Sequence, residues 1–129
     1  FLWVLSGNLL ANLIRNLWTS TIIFCGHFTE QTHIFYEQDC ENESQGQWYY
    51  RQALGSSNII GARWFHILTG HLSFQIEHHL FPDMLSSRYQ EIAPQVQAAL
   101  QKQGIAYNTG GFFHQYTSVL KRIFRYSFK

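Results

Sequence analysis

Charge is scarce in this chain of 129 residues: Asp, Glu, Lys and Arg make up 13% of it, against about 25% in ordinary soluble domains. A chain so poor in charge has little material with which to cover a wholly water-facing surface. The formal net charge is +1, which gives no bulk attraction to nucleic acid. The two cysteines, Cys25 and Cys40, have no CxxC spacing, so neither a disulfide framework nor a thiolate metal site is expected. The opening "FLWVLSGNLL" lacks the basic n-region of a secretory signal peptide, and Arg15 interrupts the apolar run. It also lacks an initiator Met, and the chain is expected to be a fragment of a longer protein. No internal repeat or low-complexity tract is present.

Aromatic residues, by contrast, reach 17%. The mean hydropathy of -0.18 argues against a chain embedded in lipid throughout. Membrane-inserted and water-facing parts together satisfy both facts. Residues 1–28 carry one charge, Arg15, and are long enough as a helix to cross a bilayer core, which takes about 20 residues. Their polar members Asn8, Asn12, Arg15, Asn16 and Thr19 recur at helical steps and share one face, with His27 near its end. Such a stripe faces a protein interior or a wet cavity in a membrane helix.

Residues 29–46 read as a solvated loop with the acids Glu37, Asp39, Glu41 and Glu43, and without the ligand spacing of a calcium loop. "GQWYYRQAL" follows as a short amphipathic segment closed by Gly55. A helix is expected over 62–81, stopped by Pro82. Another spans 86–103, with Pro94 bending it. The last, over 111–128, sets Phe112, Phe113, Tyr116, Val119, Leu120, Ile123 and Phe124 against Lys121, Arg122, Arg125 and Lys129. That pattern suits either an anionic membrane surface or packing against the rest of the domain.

The histidines raise the functional question. On one continuous helix His71, Gln75, His78 and His79 would share a face, at i, i+4, i+7 and i+8. Imidazoles suit iron, copper or zinc. Adjacent helical residues point about 100° apart, so His78 and His79 do not readily chelate one ion together, although they can border two. A hydrogen-bonded core pair explains two adjacent histidines equally simply, and spacing alone favours it. Glu77 is close enough in sequence to orient an imidazole, but its direction on the helix leaves that role open.

The run "GHLSFQIEHHLFPDMLSSRYQEIA" resembles the third histidine box of membrane fatty acid desaturases, in the QxxHH form of the front-end and linoleoyl-CoA-type enzymes. "LIRNLWTSTIIFCGHF" and "GQWYYRQALGSSN" resemble the segments that precede that box. The resemblance implies an all-α, integral membrane helical fold whose cytosolic helices carry histidine ligands on the cytoplasmic side. It implies that His78 and His79 ligate a di-iron centre, that Gln75 coordinates iron or orients a neighbour, and that His27 completes the metal sphere. His71 stands where a small or amide residue is expected, and His33, His66 and His114 match no ligand position.

The implied reaction is the oxygen-dependent removal of two hydrogens from an acyl chain carried as acyl-CoA or acyl-lipid and held in a narrow apolar tunnel. Electrons would come from a ferredoxin or a small cytochrome b-type haem protein, and membrane lipids would surround the fold. The HxxxH and HxxHH boxes of the family are absent from these residues. The chain is therefore read as the C-terminal part of a desaturase, expected to be inactive alone. A related di-iron lipid hydroxylase and a non-catalytic membrane protein retaining the fold are the alternatives. A soluble zinc module fits poorly with the apolar opening.

Overall fold

The computed structural model describes residues 1–128, apart from the side chain of Asp39. The chain is mostly helical, in the order α1 (Leu2–His27), α2 (Glu37–Cys40), α3 (Gln45–Leu54), β1 (Asn58–Ile60), α4 (Arg63–Leu68), α5 (Gln75–Leu80), α6 (Tyr89–Lys102), β2 (Thr109–Gly111) and α7 (Phe112–Ser127). A 3-10 turn over Ser86–Arg88 leads into α6.

At about 1.5 Å per residue, α1 is some 39 Å long, yet residues 1–17 are all exposed. Only its last turns pack, through Ile22, Cys25 and Gly26. Among the described residues no helix is both long and apolar enough to cross a membrane. In α1 the length is sufficient, and the apolarity is diluted by Asn8, Asn12, Arg15 and Asn16. These polar groups satisfy one another along the stripe: Asn12 Nδ2 donates to the Asn8 carbonyl (2.8 Å), and Arg15 Nη2 donates to Asn12 Oδ1 (2.7 Å).

The helix expected over 62–81 is two helices. The chain breaks between α4 and α5, where Gly70 (φ 60°) and His71 (φ 63°) adopt left-handed backbone. Glycine accepts that conformation freely, and two such residues in succession cannot continue a right-handed helix. His66 Nδ1, Thr69 Oγ1 and Ser73 Oγ hold the turn, at 2.7 and 3.1 Å from one another along the chain of contacts. The break removes His71 from the face that carries Gln75 and His79.

A short parallel strand pair was not expected from the helical patterns. β1 and β2 align Asn58 with Thr109, Ile59 with Gly110 and Ile60 with Gly111. Ile59 joins Ile22, Cys25, Phe65 and Val119 in one core, which ties α1, α4 and α7 to the strands. A second core, Ile76, Leu80 and Val96, seats α5 on α6.

Between the two cores runs a buried polar network. Asn58 Oδ1 accepts the Ile76 N–H (2.9 Å), satisfying a backbone donor in the first turn of α5. Asn58 Nδ2 donates to Glu77 Oε2 (2.7 Å), and the Tyr107 hydroxyl donates to Glu77 Oε1 (2.8 Å). The strand thereby fixes both the start and the rotation of α5.

Two cations of the basic face of α7 engage the turn before α2, Arg122 half-buried and Arg125 exposed. Arg122 Nη1 bonds the carbonyls of Thr29 and Thr32 and the Thr32 hydroxyl, and Arg125 pairs with Glu30 (2.6 Å). Packing against the 29–32 turn therefore employs two of the cations that the sequence offers to a membrane surface. Lys129 lies outside the described residues.

Candidate metal centre

Three segments distant in sequence deliver the site. α1 ends on His27, α5 presents Gln75 and His79, and α3 presents Gln52. The α3 helix starts with a capping box: Ser44 Oγ accepts the Gln47 N–H (3.3 Å) and Gln47 Oε1 accepts the Ser44 N–H (2.7 Å). Arg51 on α3 is gripped by both carboxylate oxygens of Glu43, at 2.8 and 2.5 Å.

His27 Nε2 and His79 Nε2 lie 3.3 Å apart, and Gln75 Nε2 lies 2.9 Å from the first and 3.4 Å from the second. The proton inventory follows from the partners. His79 Nδ1 lies 3.1 Å from Gln52 Oε1, an atom that only accepts, so Nδ1 carries the hydrogen. In the neutral ring Nε2 then holds a lone pair. The Gln75 amide donates to His27 Nε2, which must likewise be bare, and the backbone of Gly55 bonds the His27 ring. Burial and the neighbouring imidazoles of His27 and His78 push His79 down to about 4, so the ring is neutral at physiological pH. Two imidazole lone pairs thus converge, with an amide between them.

Gln75 Oε1 is buried without a hydrogen-bond partner. Orphaned buried acceptors are rare and ask for a reason. With a cation between the three groups, turning the amide end for end would exchange its N–H donation to His27 for this oxygen, completing an N, N, O donor set suited to a divalent transition metal. The residues present therefore fit a metal ion, as part of its coordination sphere. Among the described residues no group of three or more His, Cys, Asp or Glu side chains is gathered closely enough to hold one. The third donor here is an amide.

His78 faces elsewhere. Its Nδ1 lies 3.4 Å from the Tyr89 hydroxyl on α6, which itself donates to the Phe81 carbonyl (3.3 Å). The rings of His78 and His79 are 5.6 Å apart and inclined at 70°. His71 lines a separate pocket with Arg63 and Glu91. His33 lines the same cavity of about 250 Å³ as His27, Gln52 and His79, although its ring stacks on Phe35. His66, on α4, braces the turn before α5 through Ser73, and His114 is exposed on α7. Glu77 points away from the imidazoles into the Asn58–Tyr107 network, where burial raises its carboxyl and the two hydrogen bonds partly offset that rise.

Sequence reasoning passed over Gln52, Tyr89, Asn58 and Tyr107. A glutamine between Arg51 and Ala53 has no spacing to mark it, and only the folding of α3 against α5 brings it to a histidine. Gly26 is equally unmarked. A Cβ there would lie 2.9 Å from Gln75 Cγ and 3.2 Å from Cδ. Gly26→Val is therefore expected to push the Gln75 amide off the imidazoles and to destabilise the protein by about 1–3 kcal/mol through overpacking. Metal content and thermal denaturation of the variant check both effects.

Helices that converge two imidazoles and an amide on one point make a candidate metal centre. The family profile described as Fatty acid desaturase matches residues 1–111, and the chain belongs to that family. It is 41% identical over 112 residues to the "NADPH-dependent stearoyl-CoA 9-desaturase" of Mycobacterium tuberculosis, covering 87% of this chain and 26% of that protein. It is 33% identical to the "Acyl-lipid 8-desaturase" of Rebecca salina, over 84% of this chain and 25% of that one. "Fatty acid desaturase 3" of Bos taurus is 30% identical over 74% of this chain and 21% of its own length. The chain thus spans about a quarter of these relatives. No solved structure matches it significantly.

Proposed function

We propose that this chain supplies part of the di-iron site of an oxygen-dependent desaturase that introduces a double bond into an acyl chain. The carrying observation is the convergence of His27 Nε2, His79 Nε2 and the Gln75 amide. His27 and His79 would hold iron through Nε2, with Gln75 contributing its orphaned oxygen. His78, braced on Tyr89, would serve a neighbouring ion. When bound, iron supplies the oxygen chemistry that removes hydrogen from unactivated methylenes.

The protein's part is to keep the imidazoles neutral, aimed and shielded. Burial lowers the proton affinity of His79, so protons compete weakly with the metal. Three histidines and a glutamine do not fill the coordination of two ions, so the remaining ligands would come from elsewhere in the whole protein. The names of the relatives support an acyl-CoA or acyl-lipid substrate. The electron donor would be a ferredoxin or a small cytochrome b-type haem protein.

The fold would sit in a membrane with its histidines on the cytoplasmic side. The exposed apolar side chains of residues 1–17, among them Trp3, Leu9, Leu13 and Leu17, support contact with lipid or with other helices. The test is the fatty-acid profile of cells expressing the longest reading frame that contains this chain, beside a His79→Ala strain at matched protein level. A new unsaturated species only with the intact histidine supports the proposal. A hydroxylated product shifts it to the sister chemistry. The absence of any new lipid, with the electron donor supplied, overturns it.

A further inference from the structure

We infer that Gln52 is a positioning residue for His79: its amide oxygen fixes which imidazole nitrogen carries the hydrogen and thereby aims the other at the cation. The inference rests on the metal-centre reading above and adds a residue to it. An imidazole offers a metal one nitrogen only if the other is held as a donor, and the group that accepts that hydrogen also sets the ring's orientation. Gln52 Oε1, 3.1 Å from His79 Nδ1, is the acceptor found there. On its opposite side His79 Nε2 meets the amide of Gln75 and Nε2 of His27.

The acceptor is presented by an anchored helix. The capping box fixes the start of α3, the Glu43–Arg51 pair holds the residue next to Gln52, and the Gln52 carbonyl accepts the Ser56 hydroxyl just beyond the helix end. Gln52 and His79 also line the same small cavity. Without an oxygen at this position His79 could carry its hydrogen on Nε2, pointing it at His27 and masking the lone pair. A neutral amide in this role leaves the imidazole less basic than a carboxylate would, which suits a centre crowded with other imidazoles.

The experiment is titration of the full-length, metal-stripped protein with cobalt(II), read by its visible absorption, with thermal denaturation of the metal-free forms alongside. Gln52→Met keeps the size and removes the acceptor. It is expected to weaken cobalt binding about 10–100-fold while lowering the metal-free melting temperature only slightly, as the loss of one partly buried hydrogen bond does. Gln52→Glu restores an acceptor and is expected to bind within a few-fold of the parent or more tightly. Parental affinity in a folded Gln52→Met overturns the inference, as does a Gln52→Glu that binds as weakly as Gln52→Met. Should Gln52→Met not fold, a Gln52→Glu that binds several-fold more weakly than the parent decides against it and one that matches the parent supports it. His79→Ala separates the two levels: if it keeps parental affinity the metal-centre reading itself fails, whereas its loss beside an unaffected Gln52→Met removes Gln52 alone.

Discussion

His79→Ala in the full-length protein is expected to abolish formation of the unsaturated product, a fall of about 100-fold or more. Losing even an outer partner of a metal ligand reduces affinity or activity about 10–100-fold, and a ligand itself sits at or beyond the top of that range. The structure adds the reason why no neighbour substitutes. His78 is one residue away, but its ring is turned 70° from that of His79 and its Nδ1 is engaged with Tyr89. His33 lines the cavity, but its ring is stacked on Phe35. His114→Ala is the matched control. Its ring is exposed on α7, away from the site, and surface changes of this kind usually shift stability by less than about 0.5 kcal/mol. Product formation by His114→Ala at the parental rate, beside silence from His79→Ala, is the expected pair. Equal loss in both would mean that the imidazoles act through folding.

Glu77→Leu carries the second large effect, and it is one of stability. The Glu77 side chain is fully buried and accepts hydrogen bonds from Asn58 and Tyr107. Leucine fills the space and removes the acceptor of one Asn58 N–H and of the Tyr107 O–H, at about 1–3 kcal/mol for each unsatisfied hydrogen, while Asn58 Nδ2 keeps the Tyr107 oxygen at 2.7 Å. The sum is a large part of the roughly 5–15 kcal/mol that separates folded from unfolded domains. Asn58 also caps α5 through the Ile76 N–H, so disturbing its amide loosens the helix that bears Gln75 and His79. Thermal denaturation should show a strongly lowered midpoint for Glu77→Leu. Glu77→Gln, which keeps one acceptor oxygen, should fall between it and the parent. A Leu variant as stable as the parent would show that the network is dispensable.

The sequence made parts of this legible for identifiable reasons. A helix ending near His27 followed from the apolar run and its polar stripe, and the QxxHH spacing placed Gln75 and His79 one turn apart on one face. The sequence reads as one helix over 62–81 because nothing in the pattern marks the break, while two left-handed residues, one of them a histidine, interrupt the backbone. Nothing in composition announces a histidine at positive φ, since such a residue is held there by the Thr69–Ser73–His66 contacts around it. The strand pair escaped notice because three residues carry no alternation to detect. The direction of Glu77 could not be settled from spacing either, because it depends on Asn58 and Tyr107, 19 and 30 residues away. The cations of α7 show the same limit: periodicity gave their face, and only the folded 29–32 turn reveals what Arg122 and Arg125 hold.

In the proposed centre His27 and His79 together hold the metal. The most direct test is the iron content of the purified full-length protein, compared among the parent, His27→Ala, His79→Ala and His114→Ala. Parental iron is expected in His114→Ala, and a marked loss in both of the other variants, each still folded. Undiminished iron in folded His27→Ala and His79→Ala would contradict it.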